Sequence, residues 1–69
     1  MTTSEKLEVA LKRQGFTQKE LAERLGTSQQ NVSKKFKFND WRESDIKKIC
    51  DIIGIDFEII IKLNNGEIL

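Results

Sequence analysis

Gln30, Ser33, Lys34 and Lys37 recur at intervals of three and four, so a helix would carry all four on one side, with Gln29 at its start half-turned toward them. The chemistry such a side offers is hydrogen bonding. A glutamine carboxamide can pair in a bidentate way with an adenine edge, and a lysine can donate to the acceptors of guanine. The same residues would equally make a solvated helix face. Bond-making chemistry has far less to work with. Histidine is absent, Cys50 is the one cysteine, and no two carboxylates sit in a recognisable acid/base setting, so an enzyme is not expected. Cys50 falls on an apolar helix face, where it reads as a small core residue rather than a reactive thiol. A metal, a cofactor or a small-molecule ligand is not expected either.

The elements that must position this row are marked by start and stop signals. Thr2-Thr3-Ser4-Glu5 offers a capping box ahead of Leu7, Ala10 and Leu11, a first helix that stops at Gly15. Thr17-Gln18-Lys19-Glu20 is a second capping box, with Phe16 and Leu21 at the staple positions around it. The helix it opens carries Leu21, Ala22 and Leu25 on one face and ends at Gly26, barely two turns later. Ser28 is the N-cap of a third helix over residues 28–36, in which Val32 and Phe36 share a buried stripe opposite the polar row. Phe38-Asn39-Asp40-Trp41 reads as a loop whose two aromatics serve as lids on a thin core. Ile46, Ile49, Cys50 and Ile53 then give a fourth helix that Gly54 terminates. Short helices joined at a glycine, the second with a polar outer face, suit the major groove of DNA, which admits one helix. On spacing alone, a helical hairpin in an ordinary bundle is as good a reading.

Beyond Gly54 the period changes. Phe57, Ile59, Ile61 and Leu63 alternate with Glu58, Ile60 and Lys62, the pattern of a strand, and Asn65-Gly66 fits a type I′ turn before Glu67-Ile68-Leu69. The chain of 69 residues has room for one domain, which at this size buries only about 60% of its unfolded surface. One cysteine and no histidine leave self-association as the expected support. Met1–Lys6 leads straight into a charged amphipathic segment, and Ile59-Ile60-Ile61 is far short of the ~20 apolar residues that span a bilayer, so a cytoplasmic protein without a membrane partner is expected. Residues 28–48 carry six basic and three acidic groups, whereas residues 49–69 carry one basic and four acidic. The first stretch could face phosphate; the second could not.

The segment from Gly15 to Ser33, with Thr17-Gln18 followed by Leu21-Ala22 and then Leu25-Gly26-Thr27-Ser28-Gln29, closely resembles the helix-turn-helix of the phage repressor and Cro-type family. The resemblance extends more loosely over roughly the first 54 residues. It implies a mainly α, four-helix, lambda-repressor-like helix-turn-helix domain over residues 1–69, with the helix-turn-helix at 17–36 and a C-terminal β-strand or hairpin. It implies base-edge contacts from Gln29, Gln30 and Lys34, with Ser33 near the backbone or a base. Phosphate contacts would come from Gln18 and, after the recognition helix, from Lys35, Lys37, Asn39 and Arg42. The implied partner is double-stranded DNA and the implied role transcriptional regulation, with repression as the expected sign.

Many repressor domains of this family finish with a fifth helix, whereas residues 57–63 read as strand; Cro-like members end in strands that pair across a dimer axis. A homodimer on an approximately palindromic operator is therefore expected, held through Phe57, Ile59, Ile60, Ile61 and Leu63 within a dimerisation segment 56–69. An intrachain hairpin is the alternative. The rival function is a protein-interaction module of antitoxin or adaptor kind, whose C-terminal strand extends a partner's sheet.

Overall fold

A computed structural model describes all 69 residues. Four helices follow in order: α1 (Thr3–Arg13), α2 (Gln18–Leu25), α3 (Gln29–Phe38) and α4 (Glu43–Ile53). The hydroxyls of Thr2 and Thr17 accept from the amides of Glu5 and Glu20, each at 3.1 Å, and both glutamates accept in return from the threonine N–H groups. Ser28 Oγ accepts from the Asn31 amide at 3.2 Å. Caps of this kind contribute about 1 kcal/mol each. Helix α4 starts differently, because Arg42 has no accepting side chain. There the Asp45 carboxylate accepts from the Arg42 N–H at 3.0 Å and from the Lys35 ammonium at 3.1 Å.

The turn that separates α2 from α3 depends on Gly26, whose φ of 72° places it in the left-handed region. Its N–H donates to Glu23 O and that of Thr27 to Ala22 O, so the last carbonyls of α2 are satisfied as the chain reverses. Helix α3 ends the same way on a non-glycine residue. Asn39 has φ 50°, and the amides of Asn39 and Asp40 donate back to Phe36 and Lys35.

Leu7 and Leu11 of α1, Leu21 and Ala22 of α2, Val32 and Phe36 of α3, and Ile49 and Ile53 of α4 form one buried cluster. Phe16, Leu25, Trp41 and Ile55 cover its edges. Helix α2 packs on both α3 and α4, and α1 packs on α3, so the polar row of α3 is braced from behind by the rest of the fold.

Two expectations need correcting at the loop after α3. The helix continues to Phe38, which is 68% exposed and covers nothing. Trp41 alone plugs the core, edge-on to Phe36 with ring centroids 4.8 Å apart and planes at 83°. The left-handed Asn39 is what stops the helix.

The expected C-terminal strand is also absent. Backbone pairing there amounts to one antiparallel bridge, Lys62 with Ile68, flanked by bonds from Leu63 N–H to Glu67 O at 2.8 Å and from Leu69 N–H to Ile61 O at 2.9 Å. Alternation supplies two faces but no neighbour, and residues 56–60 have no second strand within the chain to pair with. Nor is the turn type I′, which needs positive φ at both central residues. Among the residues of the turn only Gly66 has positive φ, at 88°, and its N–H donates to Leu63 O, giving a three-residue loop over Asn64-Asn65-Gly66. Every residue from 58 to 69 is exposed, whereas Phe57 is half-buried and shares a groove with Leu7, Ala10, Ile46 and Cys50. No helix is long and apolar enough to cross a membrane.

Candidate nucleic-acid interface

Helix α3 is fixed by its apolar side. Val32 and Phe36 are buried in the core cluster, with α3 packed on α1 and α2, and this orientation leaves Gln29, Gln30, Ser33, Lys34 and Lys37 exposed. Gln29, Gln30, Ser33 and Lys34 form the whole lining of one shallow, open concavity, to which no apolar side chain contributes. The side chains that line it end in carboxamides, a hydroxyl and an ammonium, groups that recognise hydrogen-bonding edges.

Gln18, the first residue of α2, reaches this surface. Its Oε1 accepts from the Ser33 hydroxyl at 3.1 Å, a bond between the start of α2 and the middle of α3. The residues expected at phosphate after the recognition helix divide into two pairs. Lys37 and Arg42 are exposed; the Lys37 ammonium lies 5.5 Å from the Phe38 ring centroid, and Arg42 bonds within the chain through its backbone N–H and carbonyl, not its guanidinium. Lys35 and Asn39 each have a side-chain atom bonded within the chain. Lys35 Nζ pairs with Asp45 Oδ2 at 3.1 Å, and Asn39 Oδ1 accepts from the Ser4 N–H at 2.9 Å, an amide of the first turn of α1 that the Thr2–Glu5 capping box leaves free. The hydrogen bond from the Arg42 amide, with the Lys35 bond and charge adding to it, holds the Asp45 carboxyl below its ordinary value of 3.8.

Residues with no functional signal of their own in the sequence also shape the surface. Asn31 Nδ2 donates to Thr27 Oγ1 at 3.0 Å, which orders the turn and leaves the Thr27 proton free to donate outward. Their spacing of four is the one sequence signal that could have paired them. On the opposite side, the Trp41 indole N–H donates to the buried Ser4 hydroxyl at 2.8 Å, anchoring the loop after α3 to α1. Cys50 is buried in the core, and burial first, with Asp51 and Asp56 adding to it, pushes its thiol up, so it stays protonated.

The sequence profile of the Cro/C1-type HTH DNA-binding domain matches residues 6–66, from α1 through the loop of the C-terminal reversal. No curated protein and no solved structure matches the chain.

Proposed function

The chain belongs to the Cro/C1-type HTH DNA-binding domain family, and from that premise we propose that it is a transcriptional repressor that lays α3 in the major groove of duplex DNA. Gln29, Gln30, Ser33 and Lys34 face the base edges in this reading. Gln18, Lys37 and Arg42 face phosphate, and the free amides at the start of α2 favour an anion there as well. Lys35 and Asn39 are given a supporting role, because the Lys35 ammonium is engaged with Asp45 and the Asn39 carboxamide oxygen with the start of α1.

The observation that carries the reading is the division of α3 into two sides. One is locked into the core through Val32 and Phe36, and the other is a wholly polar, exposed surface of four side chains. A rigid helix with such a surface suits base-edge recognition, where bidentate pairs discriminate by roughly 1–3 kcal/mol. Selection from a random duplex library tests it. An enriched sequence is expected, and equal binding to all duplexes would end the reading.

Homodimerisation is part of the proposal. Ile59, Ile60, Ile61 and Leu63 are exposed next to the unpaired backbone of residues 56–60, with Ile68 and Leu69 also uncovered. A second copy covering these residues would hide apolar surface and set two α3 helices on a palindromic operator.

A further inference from the structure

The bond between Gln18 and Ser33 has a direction, and the direction limits what Ser33 can read. Ser33 Oγ lies 3.1 Å from Gln18 Oε1. Two oxygens at that separation need a proton between them, and a carboxamide oxygen carries none, so the serine is the donor. The single proton of Ser33 is thereby committed within the protein. The outward side of its oxygen offers lone pairs only, while Gln18 keeps both Nε2 protons for an anion. In the major groove, donors are scarcer than acceptors: the exocyclic amino groups of adenine and cytosine donate, whereas purine N7, guanine O6 and thymine O4 accept.

We infer that Ser33 is a specificity-determining residue that reads an exocyclic amino group, adenine N6 or cytosine N4, and that Gln18 is the positioning residue that sets this polarity. The inference rests on the proposal that α3 enters the major groove. A phosphate oxygen or a base carbonyl opposite Ser33 would put two acceptors face to face. The Gln18 side chain therefore links a backbone position to a base position through one hydrogen bond.

The test uses the complete chain on its selected duplex. Each adenine is replaced in turn by the purine that lacks the 6-amino group, and each cytosine by the pyrimidinone that lacks the 4-amino group. At the position that Ser33 reads, besides any adenine that Gln29 or Gln30 pairs with, the unaltered protein is expected to lose about fivefold in affinity, the weight of one net hydrogen bond. Ser33→Ala should lose the same factor on the unmodified duplex and nothing more on that modified one. Gln18→Glu retains an accepting oxygen and should keep the full sensitivity to amino removal while binding all duplexes more weakly. Gln18→Met frees the hydroxyl to turn, and its sensitivity to amino removal should drop. Additive losses for Ser33→Ala with every amino deletion overturn the inference. So does coupling of Ser33 to a 7-deaza purine, which would make the serine a donor. If Gln29→Ala and Gln30→Ala still alter selectivity in either case, DNA reading by α3 stands and only the role of Ser33 falls. If no duplex is preferred at all, both fall.

Discussion

The Trp41 indole donates to Ser4 Oγ across 37 residues of sequence at 2.8 Å, joining the loop that follows α3 to the first turn of α1. Ser4 is 5% exposed, so its hydroxyl has no water to fall back on if the indole is removed. Trp41→Phe keeps an aromatic against Phe36 and deletes the donor. A loss of about 1–3 kcal/mol in urea unfolding is expected, the range for stranding a buried polar group. Ser4→Ala in the Trp41→Phe background should then cost much less than in the parent. Additivity of the two changes would show that the bond contributes nothing.

Asn39 separates a structural role from a phosphate contact. Its backbone sits in the left-handed region, and its carboxamide oxygen caps the start of α1 through the Ser4 amide. Asn39→Gly relieves the conformational strain and loses the cap, with an expected cost of about 1 kcal/mol. Asn39→Ala carries both penalties and should be worse by a further ~1 kcal/mol. Neither variant, while folded, should bind duplex more weakly than the parent. An equal loss of affinity on every duplex would return Asn39 to the phosphate face.

The salt slope also sorts the cations. Lys37→Ala and Arg42→Ala should each weaken binding to every duplex and flatten the slope by about 0.9 for each phosphate left without its cation. Lys35→Ala should leave the slope unchanged and lower stability by no more than about 1 kcal/mol, since its ammonium is occupied by Asp45 in a partly exposed pair. Gln29→Ala and Gln30→Ala are expected to do the reverse of Lys37→Ala. Each should cost roughly 1–3 kcal/mol on the selected site and leave binding to random duplex nearly intact. Equal losses on both kinds of duplex would mean that α3 presents another side to DNA.

These contrasts mark where sequence is legible and where it stops. The starts of α1, α2 and α3 can be read because a cap is local: Thr17 and Glu20 are three residues apart and need nothing else. The polar side of α3 is legible for the same reason, since Val32 and Phe36 fix the opposite side by period alone. Lys35 and Asn39 are not, because their partners arrive from α4 and α1 and periodicity names a face, never a partner. The segment from Phe57 to Leu63 fails as a strand on the same principle. Alternation prepares a chain for pairing, and the single chain provides only Lys62 with Ile68.

Acid should act on the start of α4. Asp45 has its carboxyl held below 3.8, chiefly by the Arg42 amide, so the unfolded chain takes up this proton at a higher pH than the folded one. The stability it contributes is complete above the unfolded value and disappears as pH falls through the lower, folded value. Glu5 is held down in the same way, first by the Thr2 N–H and then by the Thr2 side chain. Melting followed from neutral pH down to about 2 should therefore show an acid-side decline below about pH 4 that Asp45→Asn makes shallower without abolishing. A decline of unchanged depth in that variant would remove Asp45 from the acid response.

The proposed dimer has its test in the exposed isoleucines. Ile60 and Ile61 are 58% and 56% exposed, and neither contributes to the buried cluster of the four helices. Ile60→Lys and Ile61→Lys should thus leave helix content unchanged while placing charge where a second copy would bury apolar surface. Sedimentation at micromolar concentration should show a dimer for the parent and a monomer for the double variant. Repressor dimers of the helix-turn-helix kind span half-sites about 34–36 Å apart, one turn of duplex, so a selected site with two inverted halves at that spacing is expected. Loss of one half-site should cost the parent far more than the double variant, which engages one half at a time. A monomeric parent, together with a selected site that lacks inverted symmetry, would leave the one-bridge reversal as a purely intrachain feature and end the dimer proposal.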